Sequence, residues 1–454
     1  MPGGARWLAL VLAACGSGAT STPDGRPVSA ADAPLAVDAA SPADAAPAPD
    51  AATTCVATTA AQLVACAGQV QSGARSVIEI QGDIVCSGVD ACRVEIHDRP
   101  VTIRGVPGAS IRRTDHHDYP LIQAIATPSA TVADLTIDEV GSVDCEPVSP
   151  TNPPVENPAC AHTLDFYGVG SATLDHVTVV ASKSLAASFN TGGSVRITHS
   201  RFVAPLQFGV QAGQLTAGFS VEDTLFAQAS SNALVLYMLH GTAQAPLVVR
   251  NTFFDHNHRD DVYFLCGPQA NARCSGGQLL LAQGVDFLRV EKTVLRRGAD
   301  DVDPNTPVGG VEINFPAVHD VSFVDNDVHT HGMWGIYLNS DPVDVARISL
   351  LGNKLYDNGR SLYYDGVDVG NFPQGIVTET GSCHQAGCAK VTLGMLWAVP
   401  GGSFSWVTND ATAPRVVVDG TQSSTDANGQ GAAAPGTTVL LYDGATELDR
   451  LTLP

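Results

Sequence analysis

Val318 to Ser340, VHDVSFVDNDVHTHGMWGIYLNS, reads as one full coil of a repeating structure: strand, tight corner, strand, polar loop, strand. Val321, Phe323 and Val328 alternate with polar neighbours, and Asn326 stands at the corner. In the last strand Ile336 and Leu338 fall on one side while Tyr337 and Asn339 fall on the other. A single coil of this kind has an apolar face and nothing to bury it against. Its sequence makes physical sense only if copies stack on it.

The same pattern recurs, an aliphatic residue followed two places later by Asp, His, Asn or Lys and then by another apolar pair. Its corner residues are Asp134, His176, His199, Asp223, Asn251, Lys292, Asn326 and Asn353. Asn and Asp tolerate a left-handed backbone and bond locally through their side chains, which suits a two-residue corner between strands. Successive corners are 23 to 42 residues apart, and the two longest steps enclose the segments Cys145 to Cys160 and Cys266 to Cys274, as expected of ordinary coils with stapled insertions. A coil of about two dozen residues with three short strands and no helix is the period of a right-handed parallel β-helix, in which each rung touches only its neighbours. The β-helix is expected over residues 55–400.

Residues 58–113 resemble the opening of the pectate-lyase-like β-helix superfamily. An amphipathic helix (TTAAQLVACAGQV) is followed by a strand (SVIEIQGDIV) and a TIRG-type rung (VTIRGVPGASIRR). The likeness extends to about residue 400 and implies an all-β architecture capped by a helix at its N-terminal end. It implies no particular activity, because one fold hosts many functions. At the other end the repeat fades after Gly370, and residues 401–454 end in a hairpin around Asp443-Gly444; they are expected to form a β cap over the last rung.

Ahead of the repeats, Arg6 precedes a short apolar run, WLALVLAA, and the sequence LAAC follows: a secretory signal over residues 1–14. Leu12 to Cys15 resembles the bacterial lipoprotein box, which implies an acylated Cys15, contact with the membrane through a lipid anchor alone, and, with Gly16 next, the outer membrane of a Gram-negative cell. Residues 15–54 are dominated by Ala, Pro, Asp and Ser, cannot form a core, and are expected to act as a tether reaching up to roughly 120 Å at about 3.1 Å per residue.

Eleven cysteines less Cys15 leave ten in a chain bound for an oxidising compartment, and they fall into adjacent pairs: Cys55–Cys66, Cys86–Cys92, Cys145–Cys160, Cys266–Cys274 and Cys383–Cys388. Zinc on Cys383, His384 and Cys388 is the alternative for the last pair, without a second Cys/His pair nearby to complete the site. The balance of 24 basic and 46 acidic residues, a net charge of −22, argues against nucleic acid as a partner. With both ends covered the solenoid is expected to be a monomer.

Alternation in the strand after each long loop assigns its faces. Gln211, Val235, Tyr263, Glu312, Tyr337 and Tyr363 are expected in one outward stripe, with Tyr237, Asn314, Asn339 and Asp365 in a second, spaced by about 4.8 Å per rung. Tyrosine faces, amides and carboxylates in a row suit a polysaccharide. The loops feeding those strands, DHNHRDD (255–261), RRGADDVDP (296–304), HTHG (329–332) and YDNGR (356–360), concentrate titratable groups. A lyase acting on a uronate polymer would use calcium on Asp260, Asp261, Asp300, Asp301 or Asp303, with Arg296, Arg297, His258, His329 or His331 as base. A hydrolase would need two carboxyl groups about 5–9.5 Å apart, for which Asp301 or Asp300 with Glu312 is the candidate pair. His256, His258 and His329 would flank the substrate. Asp300-Asp301 and His331-Gly332 resemble polygalacturonase motifs, whereas that family's Asn-Thr-Asp and Arg-Ile-Lys elements are absent. The reading is a surface-anchored β-helix that binds polysaccharide and, if catalytic, cleaves it. The alternative is a non-catalytic carbohydrate-binding or structural envelope lipoprotein.

Overall fold

A computed structural model of the chain describes residues 53–88, 91–114, 118–142, 161–229, 232–257, 279–281, 284–298, 309–313, 317–331, 334–338, 345–358, 367–370, 375–385, 387–388, 391–399 and 403–453. It is a right-handed parallel β-helix of about nine turns. The turns build three parallel faces from short strands, and in several early turns one longer strand, such as Ser171–Val180 or Val210–Glu222, runs round a corner and serves two faces. The first face includes Val94–His97, Ile122–Ile125, Leu234–Tyr237, Leu279–Leu281, Gly309–Ile313, Trp334–Leu338 and Val367–Gly370. The second includes Val77–Ile80, Val101–Gly105, Leu247–Arg250, Leu288–Glu291, Ser322–Val324 and Ile348–Leu351. The third includes Asp83–Cys86, Arg201–Val203, Leu225–Ala227, Phe253–Asp255, Val294–Arg296, Asp327–His329 and Lys354–Tyr356. In the later turns a narrow fourth strip, Leu239–His240, Val285–Asp286, Val318–His319 and Val345–Ala346, runs between the first and second faces.

The core is what alternation dictates: one residue in two points inward and meets its equivalent on the next turn. Phe166 stacks on Phe189 with centroids 4.9 Å apart, and Phe202, Phe226 and Phe254 form a second column at 5.2 and 4.9 Å. Such pairs contribute about 0.5–1.5 kcal/mol each beyond the area they bury. The N-terminal end is closed by the helix Ala60–Gln71, started by Thr59, whose hydroxyl accepts from the Gln62 N–H, and burying Leu63, Cys66, Ala67 and Val70 on one face. The bridges Cys55–Cys66 and Cys86–Cys92 lie beside it, and Cys383–Cys388 closes a loop after the last turn. These are the pairs expected from adjacency, and the Cys383–Cys388 bridge removes both thiolates that a zinc site would need. Cys145, Cys160, Cys266, Cys274 and Cys15 lie outside the described residues.

The corner between the second and third faces differs in detail from the sequence pattern. The left-handed residues are Asp134, His176, His199, Asp223, Asn251, Lys292, Asp325 and Gly352, with φ between 49° and 64°. In the last two turns the corner is therefore one place earlier than Asn326 and Asn353. Those two asparagines are fully buried inside the coil, at the position held by Ser200, Thr224, Thr252 and Thr293 in earlier turns. The Thr293 N–H donates to Asn326 Oδ1 and the Asn326 N–H to Asn353 Oδ1, each at 3.0 Å, while the side-chain amides donate to the Val290 and Phe323 carbonyls at 2.8 Å. Asn251 stays in the left-handed column and does not stack with them.

The C-terminal β module expected from the sequence is present, and its first strand already begins at Leu393. Its two antiparallel sheets begin at Leu393–Val399, and its strands pack along the flank of the solenoid, against the third face. Met395 and Val407 meet Val203, Leu225, Ala227, Phe253 and Val294, all buried. The reason is visible in the strands: RFV, LFA, FFD and VLR are buried on both sides, so the outward residues need a cover. Arg201 fastens the contact, donating from Nε to the Leu396 carbonyl at 2.8 Å and from Nη2 to Asp449 at 2.7 Å.

Candidate functional site

Register places the expected stripe on the first face and corrects two of its members. Gln211 pairs with Val235, Val235 with Leu280, Leu280 with Glu312, Glu312 with Tyr337, and Tyr337 with Gly370. Leu280 and Gly370 thus hold the rungs assigned to Tyr263 and Tyr363. Both tyrosines, with His258, Asp260, Asp261, Asp300, Asp301, Asp303, Asn314, Asn339 and Asp365, lie outside the described residues. Glu312 stands between the core residues Val311 and Ile313, so its side chain is on the outer surface of the coil, yet it is only 3% exposed.

Two aromatic side chains shape this face. Trp334, which the alternation pattern did not single out, stacks against Tyr337 with centroids 5.0 Å apart and planes 26° from parallel. Its indole lies over Gly370, where any Cβ would collide with the ring. Three turns away, Tyr237 lies over Gly213 in the same way and its hydroxyl donates to Asn190. In both places a glycine lets a ring lie flat on the sheet. A ring held flat and half-buried is the geometry that meets a pyranose face.

The edge between the third and first faces gathers the other expected residues into three parallel columns. Asp255, Arg296, His329 and Tyr356 share the last outward position of the third face. His256, Arg297, Thr330 and Asp357 share the left-handed corner, with φ of 50°, 54°, 60° and 54°. Asn257, Gly298, His331 and Asn358 follow inside the coil. Arg297 reaches the nearly buried Asp255 twice, Nε to Oδ1 at 2.8 Å and Nη2 to Oδ2 at 2.5 Å, and Arg296 Nε meets the same carboxylate at 3.0 Å. Burial alone would raise the Asp255 pKa, but the two guanidinium groups outweigh it and hold the carboxyl below its ordinary value. Arg296 also donates to the Thr408 carbonyl at 3.0 Å, tying the pair to the C-terminal module.

Three of the residues named as catalytic or substrate-binding are committed to structure here. Arg297 is a guanidinium locked on Asp255, which makes it a poor proton acceptor. His331 is fully buried: the Gly298 N–H donates to its Nδ1 and its Nε2–H donates to the Leu295 carbonyl, both at 3.0 Å. Its own N–H donates to Asn358 Oδ1 at 3.2 Å, as Ala229 donates to Asn257 Oδ1 at 3.0 Å. His331 is therefore one rung of an amide ladder, with imidazole standing where asparagine stands on the next turn, at Asn358, and two turns back, at Asn257. Burial, and then the nearby His329, push its pKa down to about 3, so the ring is neutral and inside the coil rather than a base facing substrate. His329 stacks on Tyr356 at 4.8 Å and donates from Nε2 to Asn409 Oδ1 at 3.1 Å, under the C-terminal module. Asn409 in turn donates to the buried Asp327 at 2.7 Å, and burial followed by that carboxylate raises the Tyr356 hydroxyl far above its usual range.

The chain matches no protein-family model, and no curated protein matches it in sequence. Among solved structures, the A-module of the mannuronan C-5 epimerase AlgE4 from Azotobacter vinelandii is similar with a TM-score of 0.52 at 12% identity, covering 73% of this chain and 85% of that one. PfbA, a surface adhesin of Streptococcus pneumoniae, is also matched at 12% identity with a TM-score of 0.35, covering 72% of this chain and 84% of that one. At 12% identity the likeness to the epimerase module establishes the fold alone. No helix among the described residues is long and apolar enough to cross a membrane.

Proposed function

We propose that this chain is an extracytoplasmic, lipid-anchored β-helix that binds polysaccharide along its first face. The observation that carries the reading is the Trp334–Tyr337 pair, stacked and half-buried on the outer surface, with Glu312 beside Tyr337 in register. Disulfides at both ends of the solenoid support an oxidising compartment, and Cys15 followed by the Pro/Ala tether would hold the solenoid clear of the membrane. The fold shared with a mannuronan epimerase puts uronate polymers first in any panel. A polyanion meeting a chain of net charge −22 needs a cation between them, so binding is expected to depend on calcium, with Asp260, Asp261, Asp300, Asp301 and Asp303 as its proposed ligands.

Titration of the intact chain with alginate, pectate and neutral glucans, with and without calcium, tests this. Trp334→Ala and Tyr337→Ala should each weaken binding by about tenfold, given stacking of about 1–1.5 kcal/mol. Unchanged affinity in both variants would sink the reading. Cleavage is a second reading, favoured by the nearly buried Glu312 carboxyl on the same face. Release of unsaturated ends or reducing sugar, abolished by Glu312→Gln or Asp301→Asn with binding retained, would establish it.

A further inference from the structure

A second cluster of ligating side chains lies on the edge between the second and third faces, several turns from the aromatic pair. Asp175 is the last second-face residue of the strand Ser171–Val180, His176 takes the left-handed corner directly after it, and His199 takes the same corner one turn on. Asp175 Oδ1 is 3.1 Å from His176 Nδ1 and 3.2 Å from His199 Nδ1. One ligand atom from each of the three residues lies within 4.8 Å of the others. The two imidazoles are stacked at 4.5 Å with planes 13° apart, and their side chains are 55% and 48% exposed. The Thr198 hydroxyl donates to Asp175 Oδ1 at 2.7 Å and fixes the carboxylate.

We propose that Asp175, His176 and His199 bind a borderline divalent cation of the zinc, cobalt or nickel type. Bonds of about 2.0–2.1 Å in tetrahedral geometry set ligand atoms roughly 3.3–3.4 Å apart. The two oxygen–nitrogen separations lie near that value, and the half-exposed imidazoles have room to turn their ring nitrogens toward a shared ion. The donor set of two imidazoles and one carboxylate selects this class over calcium or magnesium, which take oxygen ligands. Open coordination positions face solvent, and Thr198 holds the carboxylate as outer partners of metal ligands do.

The molecule contains its own control. Asp286 also lies between two histidines, with Oδ2 2.8 Å from His240 Nδ1 and Oδ1 3.0 Å from His319 Nδ1. There the three residues occupy three successive turns and each histidine uses a different carboxylate oxygen, so their ligand atoms do not all come within 4.8 Å of one another. Among the described residues only the Asp175 trio draws its ligand atoms together. The same residue types therefore give a site on one edge and a pair of hydrogen bonds on another.

The test is titration of tag-free, chelator-treated full-length protein with Co2+, followed by its visible spectrum, and with Zn2+ in competition with a chromophoric chelator. Wild type and His240→Asn should take up the ion equally at this site. His176→Asn, His199→Asn and Asp175→Asn should each weaken uptake by more than about tenfold. Asparagine is the replacement of choice because both histidines have positive φ, which it adopts readily, and circular dichroism checks that the solenoid is intact. Absence of uptake by wild type, or uptake unchanged in the His176→Asn/His199→Asn double variant, overturns the proposal.

Discussion

The first and third faces are built from the same kind of short parallel strand, yet one is a surface and the other is an interior. On the third face the outward residues Val203, Leu225, Phe253 and Val294 are covered by the C-terminal module, and the polar groups among them, Arg201, Arg296 and His329, all reach partners across the contact. On the first face the outward residues include Trp334 and Tyr337, half-buried and laid over the sheet. The difference teaches that an outward histidine or arginine is not thereby a functional one. What lies over it decides whether it serves packing or chemistry.

The comparison can be broken most forcefully at Phe253, which is fully buried beneath the C-terminal module with the Arg296 guanidinium 4.9 Å from its ring centre. Phe253→Ala should cost about 3–5 kcal/mol in denaturant unfolding. A loss below about 1 kcal/mol would mean that the module does not cover this face. Next in size is Asp255→Asn, which leaves Arg296 and Arg297 without their carboxylate and should cost about 3 kcal/mol. Because the folded-state pKa of Asp255 lies below its unfolded value, its stabilisation is present above the unfolded carboxylate range and is lost as pH falls through the folded pKa. In Asp255→Asn that acid-side loss should shrink.

A finer test separates structure from chemistry at His331. Its folded pKa of about 3 lies below the unfolded value of about 6.5, so the unfolded chain binds the extra proton between those limits. Stability should therefore fall as pH drops from about 6.5 towards 3, by about 1.4 kcal/mol per unit from this group. His331→Asn should fold, keep the amide ladder and lose that slope, with any polysaccharide binding intact. Loss of binding with the fold retained would return His331 to the site. Smallest of all, Tyr337→Ala should change stability by less than about 1 kcal/mol while weakening binding, the reverse of the pattern at Phe253.

Much of the solenoid was legible because its signals are local. Alternation of two fixes which side of a strand is core, so Val311, Ile313, Ile336 and Leu338 point inward as their spacing requires, and adjacent cysteines found each other across short loops. Even the cover on the third face left a trace, since LFA has no polar alternate to give to water. Other positions were ambiguous because one residue type serves two purposes. Asn326 and Asn353 satisfy a left-handed corner on paper, and inside the coil they satisfy backbone groups of the neighbouring turn instead; His331 does the same work with a ring.

What the sequence determined by itself is the repeating coil, its period, its inward residues and its short-range bridges, because each depends on neighbours a few residues apart. What only the tertiary structure decided depends on stacking and docking over long separations. The rung next to Glu312 is Leu280 and not Tyr263, Trp334 joins Tyr337 over Gly370, and Arg201 reaches Asp449. Which histidines share one carboxylate oxygen, as at Asp175, and which take its two oxygens separately, as at Asp286, was set by the register between turns. Register across a parallel sheet is fixed by the summed packing of whole coils, and no window of sequence shorter than two coils contains it.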